Sequence, residues 1–149
     1  MAKISLTLTV IFLLIGLLGC QQKTDKDNAS EAVPNSNEGI SIKTEKTQYP
    51  VSADEIVIIM ENNNNSSFNY GLLPSIEKNI DGKWDKISYK KDLAVNAIEQ
   101  GINSNSKKKE SFSLSILKEK LPPGKYRITL TFYNDKNKII LGIPFELVK

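Results

Sequence analysis

Apolar and polar residues are arranged differently in three successive stretches of the chain. Residues 4–18 are uncharged and mostly apolar, whereas residues 21–38 contain almost nothing that a core could bury. From Gly39 onward, short segments of alternating apolar and polar residues are separated by residues that favour turns. Alternation with a period of two is typical of β-strands that bury one face. The pattern therefore predicts an apolar N-terminal segment, a polar linker and a single β domain.

The alternating part of the chain predicts about seven or eight short strands. Residues 40–44 give the first strand, and residues 55–61, which are apolar on both faces, give a central one. The last three strands are predicted to place one set of side chains inward, namely Phe112, Leu114 and Ile116, then Tyr126, Ile128, Leu130 and Phe132, then Ile139, Leu141, Ile143, Phe145 and Leu147. No convincing helix interrupts them, so we expect an all-β antiparallel sandwich.

Turn-forming residues mark the connections between these strands. Asp81-Gly82 separates residues 72–80 from residues 83–89 and is the strongest hairpin signal in the chain, because both residue types tolerate a positive φ. Tyr49-Pro50 together with residues 52–54 predicts another turn.

Two polar stretches are predicted to be loops. Residues 62–67 are asparagine and serine, and we expect no packing role for them. Residues 90–109 give no clear pattern: residues 92–95 would suit a short strand, and the rest predicts a long loop. Lys107, Lys108 and Lys109 are expected to be solvated within it.

The first twenty residues have the form of a secretory signal. Lys3 precedes an apolar run that is shorter than the ~20 apolar residues a spanning helix needs. Leu17-Leu18-Gly19-Cys20 resembles the lipobox of bacterial lipoproteins. The resemblance implies that the chain is cleaved before Cys20, that diacylglycerol is attached to its thiol, and that a fatty acid such as palmitate acylates the new amine. Small residues before the cysteine argue against an uncleaved signal anchor.

These observations predict three parts: a signal peptide at residues 1–19, a lipidated cysteine with a flexible tether at residues 20–38, and a folded domain at residues 39–149. Residues 21–38 cannot bury enough apolar surface to offset the entropy of ordering, so we expect them to be disordered. The domain would then be held at the extracytoplasmic face of the cell membrane by lipid chains on Cys20.

Composition excludes several classes of function. The chain has no histidine, and its only cysteine is Cys20, so we expect no Ser-His-Asp or Cys-His site, no zinc site, no disulfide and no cofactor. The net charge is +3, and the lysine run has no interleaved aromatic residues, which argues against nucleic-acid binding. S-x-x-K occurs repeatedly, as at Ser75 and Lys78, but the partner motifs of penicillin-binding enzymes are absent. We predict a monomeric protein that is not an enzyme.

Leu121-Pro122-Pro123-Gly124-Lys125-Tyr126 has the spacing of a tyrosine corner, in which the phenol bonds to upstream backbone and fixes a crossover between the sheets. We therefore assign structural roles to Leu121, Gly124 and Tyr126, and also to Asp81 and Gly82. Trp84 is predicted to pack, although alternation leaves it open to partial exposure.

Glu77 and Arg127 are candidate contact residues that we expect to face each other across the two sheets. Residues 77–84 and 121–128 together resemble the bacterial immunoglobulin-like domain found in lipoproteins of Bacillus and its relatives. The resemblance covers roughly residues 40–148, including Asn69-Tyr70-Gly71, and implies an immunoglobulin-like fold. Asp85 departs from the family, where an aromatic residue often follows the tryptophan.

Three functions stay open at this point. The first is a non-enzymatic binding or structural module at the cell envelope, which contacts a protein or wall polymer and has an exposed apolar patch. The second is a protease-inhibitor-like domain, which requires an ordered and protruding loop at residues 90–109. The third is an accessory domain with no ligand of its own. A hydrolase would need a serine and a lysine buried together.

Overall fold

The computed structural model describes residues 32–91, 99–135 and 137–149, and these residues form a sandwich of two β-sheets. The strands in chain order are β1 Ser36–Asn37, β2 Ile40–Thr44, β3 Gln48–Pro50, β4 Glu55–Asn62, β5 Phe68–Gly71, β6 Ser75–Ile80, β7 Lys83–Lys86, β8 Glu99–Ile102, β9 Ser106–Ser113, β10 Gly124–Tyr133 and β11 Lys138–Val148. The predicted all-β sandwich is confirmed. No helix in the described part of the chain is long and apolar enough to cross a membrane.

The smaller sheet has the strand order β1-β2-β4-β9, and all its pairs are antiparallel. In the larger sheet, β10 lies beside β11 along its whole length. On its other side, the first half of β10 pairs with β6 and the second half with β5. The hairpin partner β7 continues the sheet beyond β6, and β8 continues it beyond β5. β3 pairs with the end of β11 in parallel.

The core lies between the two sheets and is filled by the alternating apolar positions. β10 shows the rule: Tyr126, Ile128 and Phe132 are fully buried, and Leu130 nearly so. Across the core, β2 and β4 contribute Ile40, Ile42, Ile56, Ile58 and Met60. Burial of such side chains contributes about 1.5–3 kcal/mol each to stability. The domain depends on this contribution, because a chain with one cysteine forms no internal disulfide.

The predicted hairpin is present between β6 and β7. Asp81 has φ +51° and Gly82 has φ +86°, and their neighbours Ile80 and Lys83 are register partners. Two positive φ values define the type I′ turn, whose twist matches that of the strands. The Gly82 N–H also donates to Asn79 Oδ1 at 3.0 Å. The strands are shorter than predicted, since β6 begins at Ser75 and β7 ends at Lys86.

Two predicted turns or loops contribute to the fold more than expected. Tyr49 and Pro50 belong to β3, where Tyr49 is buried against Phe145, and the predicted turn follows at once, with Ala53 N–H donating to Pro50 O at 2.9 Å. Asn62 ends β4 and is fully buried rather than part of a loop without a packing role. Its Nδ2 donates to the carbonyl oxygens of Ser66 and Asn103, both at 2.9 Å, so it joins two loops.

The prediction of a long loop over residues 90–109 is wrong for residues 99–102 and 106–109. Residues 99–102 form β8 and residues 106–109 begin β9, with a turn at residues 103–105 that passes from one sheet to the other. The predicted strand at residues 92–95 lies outside the described residues. The protruding loop that an inhibitor would need is therefore not formed by residues 99–109.

The lysine run is not part of a solvated loop. Lys107, Lys108 and Lys109 lie on the edge strand β9. The side-chain nitrogen of each forms an ion pair with a carboxylate, at nitrogen–oxygen distances of 3.1 Å, 2.9 Å and 3.0 Å respectively. Lysines on an edge strand also discourage pairing with another chain. The strand predicted to continue to Ile116 ends at Ser113, and a 3₁₀ turn at Leu114–Ile116 follows.

The folded part of the chain begins upstream of the expected boundary at residue 39. Ser36 and Asn37 form β1, which pairs with β2. The Pro34 and Asn35 carbonyls accept hydrogen bonds from Gly142 N and Ile42 N, so this segment connects the two sheets. The signal peptide, Cys20 and residues 20–31 of the predicted tether lie outside the described residues.

Candidate functional site

The tyrosine corner determines the shape of one end of the sandwich. Tyr126 is fully buried, its hydroxyl donates to Pro122 O at 2.6 Å, and its ring stacks on Phe145 with centroids 5.5 Å apart. Gly124 has φ +155°, and a Cβ there would contact the side chains of Lys78 and Tyr126. Burial raises the pKa of Tyr126. Leu121 is buried beside them. The corner is thus rigid backbone packed on the core.

A hollow of about 370 Å³ lies at this end, between the corner, the 3₁₀ turn and the turn that follows β3. Its apolar lining consists of Val51, Ala53, Leu114, Leu117, Leu121 and Leu147. The rest of the lining is polar or charged, namely Ser52, Asp54, Lys90, Ser115, Lys118, Glu119 and Lys120. An apolar floor with a charged rim is the usual composition of a surface that contacts another protein.

A second hollow of about 290 Å³ adjoins the first under the β6–β7 hairpin. Ile80, which is 47 % exposed, and Ile87 supply its apolar surface. Lys118 and Glu119 line both hollows. The two hollows are therefore parts of one surface, which we call the corner end: the turn after β3, the segment from the 3₁₀ turn to Leu121, and the β6–β7 hairpin.

One of the S-x-x-K pairs, Ser115 and Lys118, lies at the corner end. Both side chains are exposed. Ser115 Oγ lies 2.8 Å from Ser113 Oγ, and its backbone N–H is capped by the same oxygen. A serine–lysine hydrolase instead buries the two groups together, because exclusion of water is what activates the amine. Among the described residues, no three His, Cys, Asp or Glu side chains lie close enough to hold a metal ion.

Arg127 is the centre of a second cluster, on the outer face of the larger sheet. Its Nη2 and Nε lie 2.6 Å and 2.7 Å from Glu77 Oε2, and its Cζ lies 4.6 Å from the centroid of the Trp84 ring. The Arg127 and Glu77 side chains are only 10 % and 20 % exposed. The cluster is therefore a largely desolvated ion pair with an aromatic cover.

The structure corrects the predicted placement of the ion pair and specifies how Trp84 packs. Glu77 and Arg127 do not face each other across the two sheets: β6 and β10 are neighbours in one sheet, and the two residues are register partners. Trp84 is half-buried, and it packs against the Arg127 guanidinium on the outer face and not in the core.

A third cluster was not predicted. Tyr70 donates to Glu110 Oε1 at 2.9 Å, and Lys108 Nζ lies 2.9 Å from the same oxygen and 5.3 Å from the Tyr70 ring centroid. Burial is the main cause of a raised pKa at Tyr70, and hydrogen bonds to Tyr70 and Glu110 raise the pKa of Lys108. These residues lie between the two sheets at the open side of the sandwich, where β8 and β9 are edge strands. Among the residues of this cluster, only Tyr70 belongs to a sequence motif of the family, so it alone could have indicated the cluster from the sequence.

Comparison with known proteins supplies a family. Residues 36–140 match the model of a family described as the bacterial Ig-like domain. No protein with a curated description matches the chain. The crystal structure of the periplasmic chaperone SfaE is similar at 12% identity, covering 74% of this chain and 58% of that one, with a TM-score of 0.46. An ASH / PapD-like domain of human CEP192 shares 16% identity over 80% of this chain and 95% of its own, with a TM-score of 0.38.

This chain therefore spans little more than half the length of that chaperone. The family match, by contrast, begins at β1 and reaches into β11, so it includes the corner, the hairpin and both sheets. The chain belongs to the bacterial Ig-like domain family.

Proposed function

We propose that this protein is an extracytoplasmic lipoprotein, held to the membrane through Cys20, whose Ig-like domain is a non-enzymatic module that binds a protein partner. The lipobox at Leu17-Leu18-Gly19-Cys20 supports the anchor, and the resemblance to lipoproteins of Bacillus is consistent with it. The observation that carries the binding role is the corner end, where two hollows share Lys118 and Glu119.

The shape of the corner end favours a protein over a small ligand. Each hollow is near or below the lower end of the ~300–1,000 Å³ range of small-molecule sites, and both are open to solvent. Exposed Ile80 lies on the projecting hairpin, where it can insert into a partner. Charged residues of both signs around the apolar surface would fix the orientation of the partner.

Site-specific photo-crosslinking in intact cells tests the binding role. Benzoylphenylalanine replaces Lys118 in one strain and Lys43 in a matched strain, since Lys43 is exposed on the smaller sheet, far from the corner along the chain. We expect a discrete adduct with one protein from position 118 and none from position 43. Equal labelling from both positions, or no adduct at 118, contradicts the proposal.

Metabolic labelling tests the anchor. Cells that express the wild-type chain in the presence of labelled palmitate should incorporate the label and retain the protein in the membrane fraction. Cys20→Ala should lose the label and release the protein from that fraction, because no other cysteine is available. A wild-type protein found in the medium without acyl chains would contradict the anchor.

A further inference from the structure

The N-terminal segment enters the domain across the outer face of the larger sheet. At Gly142, the missing side chain leaves room for Val33: a Cβ there would lie 2.9 Å from Val33 Cβ and 3.3 Å from Arg127 Cδ. The Gly142 N–H donates to Pro34 O at 2.8 Å and holds the segment in place. Val33, near the start of the described residues, therefore lies beside Arg127 on that face.

The length of chain before this point limits how far the face can lie from the anchor. Thirteen peptide links join Cys20 to Val33. Even a fully extended chain of that length spans no more than about 45 Å. A domain anchored at Cys20 thus keeps the outer face of the larger sheet within that distance of the lipid.

This face carries lysines that form no ion pair among the described residues, although Lys125 is the register partner of Glu146. Lys86 is the register partner of Glu77, Lys125 lies two residues before Arg127 and Lys138 lies four before Gly142, so alternation places all three on the outer side. All three are exposed, and none forms an ion pair within the described residues. Two acids that lie beside these lysines have other partners: Glu77 binds Arg127, and Glu146 accepts from Gln48 at 2.9 Å.

The outer face of the smaller sheet has fewer lysines of this kind. There Lys107 pairs with Glu61 and Lys109 pairs with Glu45, which leaves Lys43 without an ion pair among the described residues of its strands. The larger sheet instead adds exposed apolar side chains to its free lysines, because Ile140 is 46 % exposed, Pro144 is exposed and Trp84 is half-buried. Lysine with tryptophan and isoleucine is the composition of surfaces that lie at the lipid headgroups.

We propose that the outer face of the larger sheet docks on the membrane surface, with Lys86, Lys125 and Lys138 against anionic lipid phosphates and with Trp84 and Ile140 at the headgroup level. The proposal rests on the lipid anchor proposed above. The short link to Cys20 brings this face to the bilayer, and the unpaired lysines attract it to lipids of opposite charge. Lys86 also lines the second hollow, so docking covers the hairpin part of the corner end and leaves the first hollow at the edge of the docked face.

Fluorescence of Trp84 tests the proposal, because it is the only tryptophan in the chain. The lipidated full-length protein is reconstituted in phosphatidylcholine vesicles with or without phosphatidylglycerol. We expect quenching by acrylamide to fall about two-fold in the anionic vesicles, since headgroups cover the indole. Raising the salt to about 1 M, where the Debye length is only ~3 Å, should restore quenching.

Two charge-reversal variants supply the matched control. Lys86→Glu with Lys125→Glu should abolish the shielding of Trp84, whereas Lys43→Glu with Lys46→Glu, which alters exposed lysines elsewhere, should leave it unchanged. Urea unfolding of both variants checks that the domain is intact. Shielding that survives the first pair of substitutions overturns the proposal.

Flotation of the vesicles separates this inference from the anchor. If the wild-type protein does not float with the vesicles, the anchor itself fails. If it floats but Trp84 is quenched equally with and without anionic lipid, only the docking surface fails. If soluble polyphosphate shields Trp84 equally well in the absence of vesicles, the face recognises a dissolved polyanion. That result would overturn the proposal that the face docks on a membrane.

Discussion

Arg127 shows how much a single side chain can organise. Its side chain is nearly buried and binds Glu77 through two nitrogens. The guanidinium lies against the Trp84 ring, and Arg127 Cδ lies beside Gly142, where Val33 packs. Thr129 Oγ1 also lies 3.5 Å from the same Glu77 oxygen. Loss of the guanidinium would leave Glu77 largely desolvated and without its cation, which is more costly than loss of an exposed charge.

A double-mutant cycle measures this contribution. Arg127→Met and Glu77→Gln, alone and combined, should give a coupling energy of about 2 kcal/mol in urea unfolding. The same cycle on the exposed pair of Lys107 and Glu61, whose nitrogen and oxygen are 3.1 Å apart, should give less than ~1 kcal/mol because solvent screens it. Equal couplings for the two pairs would contradict the role given to Arg127.

Tyr89 predicts how stability depends on pH. Burial raises the pKa of Tyr89 to about 12, and its hydroxyl donates to Pro74 O. The unfolded chain has an ordinary tyrosine pKa of about 10, so the folded state favours the neutral phenol. Its contribution is complete below pH 10 and is lost as the pH rises through 12.

The free energy of unfolding should therefore fall between pH 10 and 12, measured by urea titration at fixed ionic strength. Tyr89→Phe should have a shallower decrease over that range, because one of the groups that ionises only on unfolding is gone. The ultraviolet absorbance of tyrosinate in the folded protein checks the same point. A Tyr89→Phe variant with an unchanged slope would contradict the assignment.

Local spacing predicted single residues well where the structure depends on neighbours in sequence. The hydrogen bond of Tyr126 to Pro122 O joins residues four apart, and the positive φ values of Asp81 and Gly82 belong to one turn. The cluster of Arg127, Glu77 and Trp84 depends on the register of three strands, which no local pattern contains.

At the scale of elements, the β6–β7 hairpin allows a matched test of turn geometry. Gly82→Ala places a side chain at φ +86°, where an L-residue is strained, and should cost about 1 kcal/mol of stability in urea unfolding.

Gly71→Ala is the control. Its φ is not positive, and a Cβ there would meet nothing within 4 Å. We expect its stability to stay within about 0.5 kcal/mol of wild type. If the two substitutions cost the same, the turn at Gly82 does not require glycine.

The strands β8 and β9 show why one region escaped prediction. On β9, Lys108 and Glu110 occupy inward positions opposite Met60 and Ile58, where alternation would call for apolar residues. They are tolerated because β9 is an edge strand, and Tyr70 and Gln100 bond to them at the open side of the sandwich. The polar inward face removed the hydrophobic period on which strand prediction depends.

At the scale of the whole molecule, two surfaces meet at the β6–β7 hairpin. The first hollow of the corner end lies at one end of the sandwich, whereas the lysine-bearing face lies along the larger sheet and shares Lys86 with the second hollow. A partner bound at the first hollow can therefore remain in contact while the sheet face is docked. The sequence indicated the sandwich, because alternation and turns recur along the chain, but the positions of the two surfaces depend on tertiary contacts between distant segments.

The parallel pairing of β3 with β11 also determines how the domain would respond to tension. Gln48, Tyr49 and Pro50 lie beside Glu146, Leu147 and Val148, flanked by hydrogen bonds at Thr47 and Val51. Pulling Thr47 and Lys149 apart loads these bonds together in shear, whereas pulling from Gly82 peels the hairpin apart one bond at a time. Force spectroscopy should therefore find a higher rupture force for the first geometry.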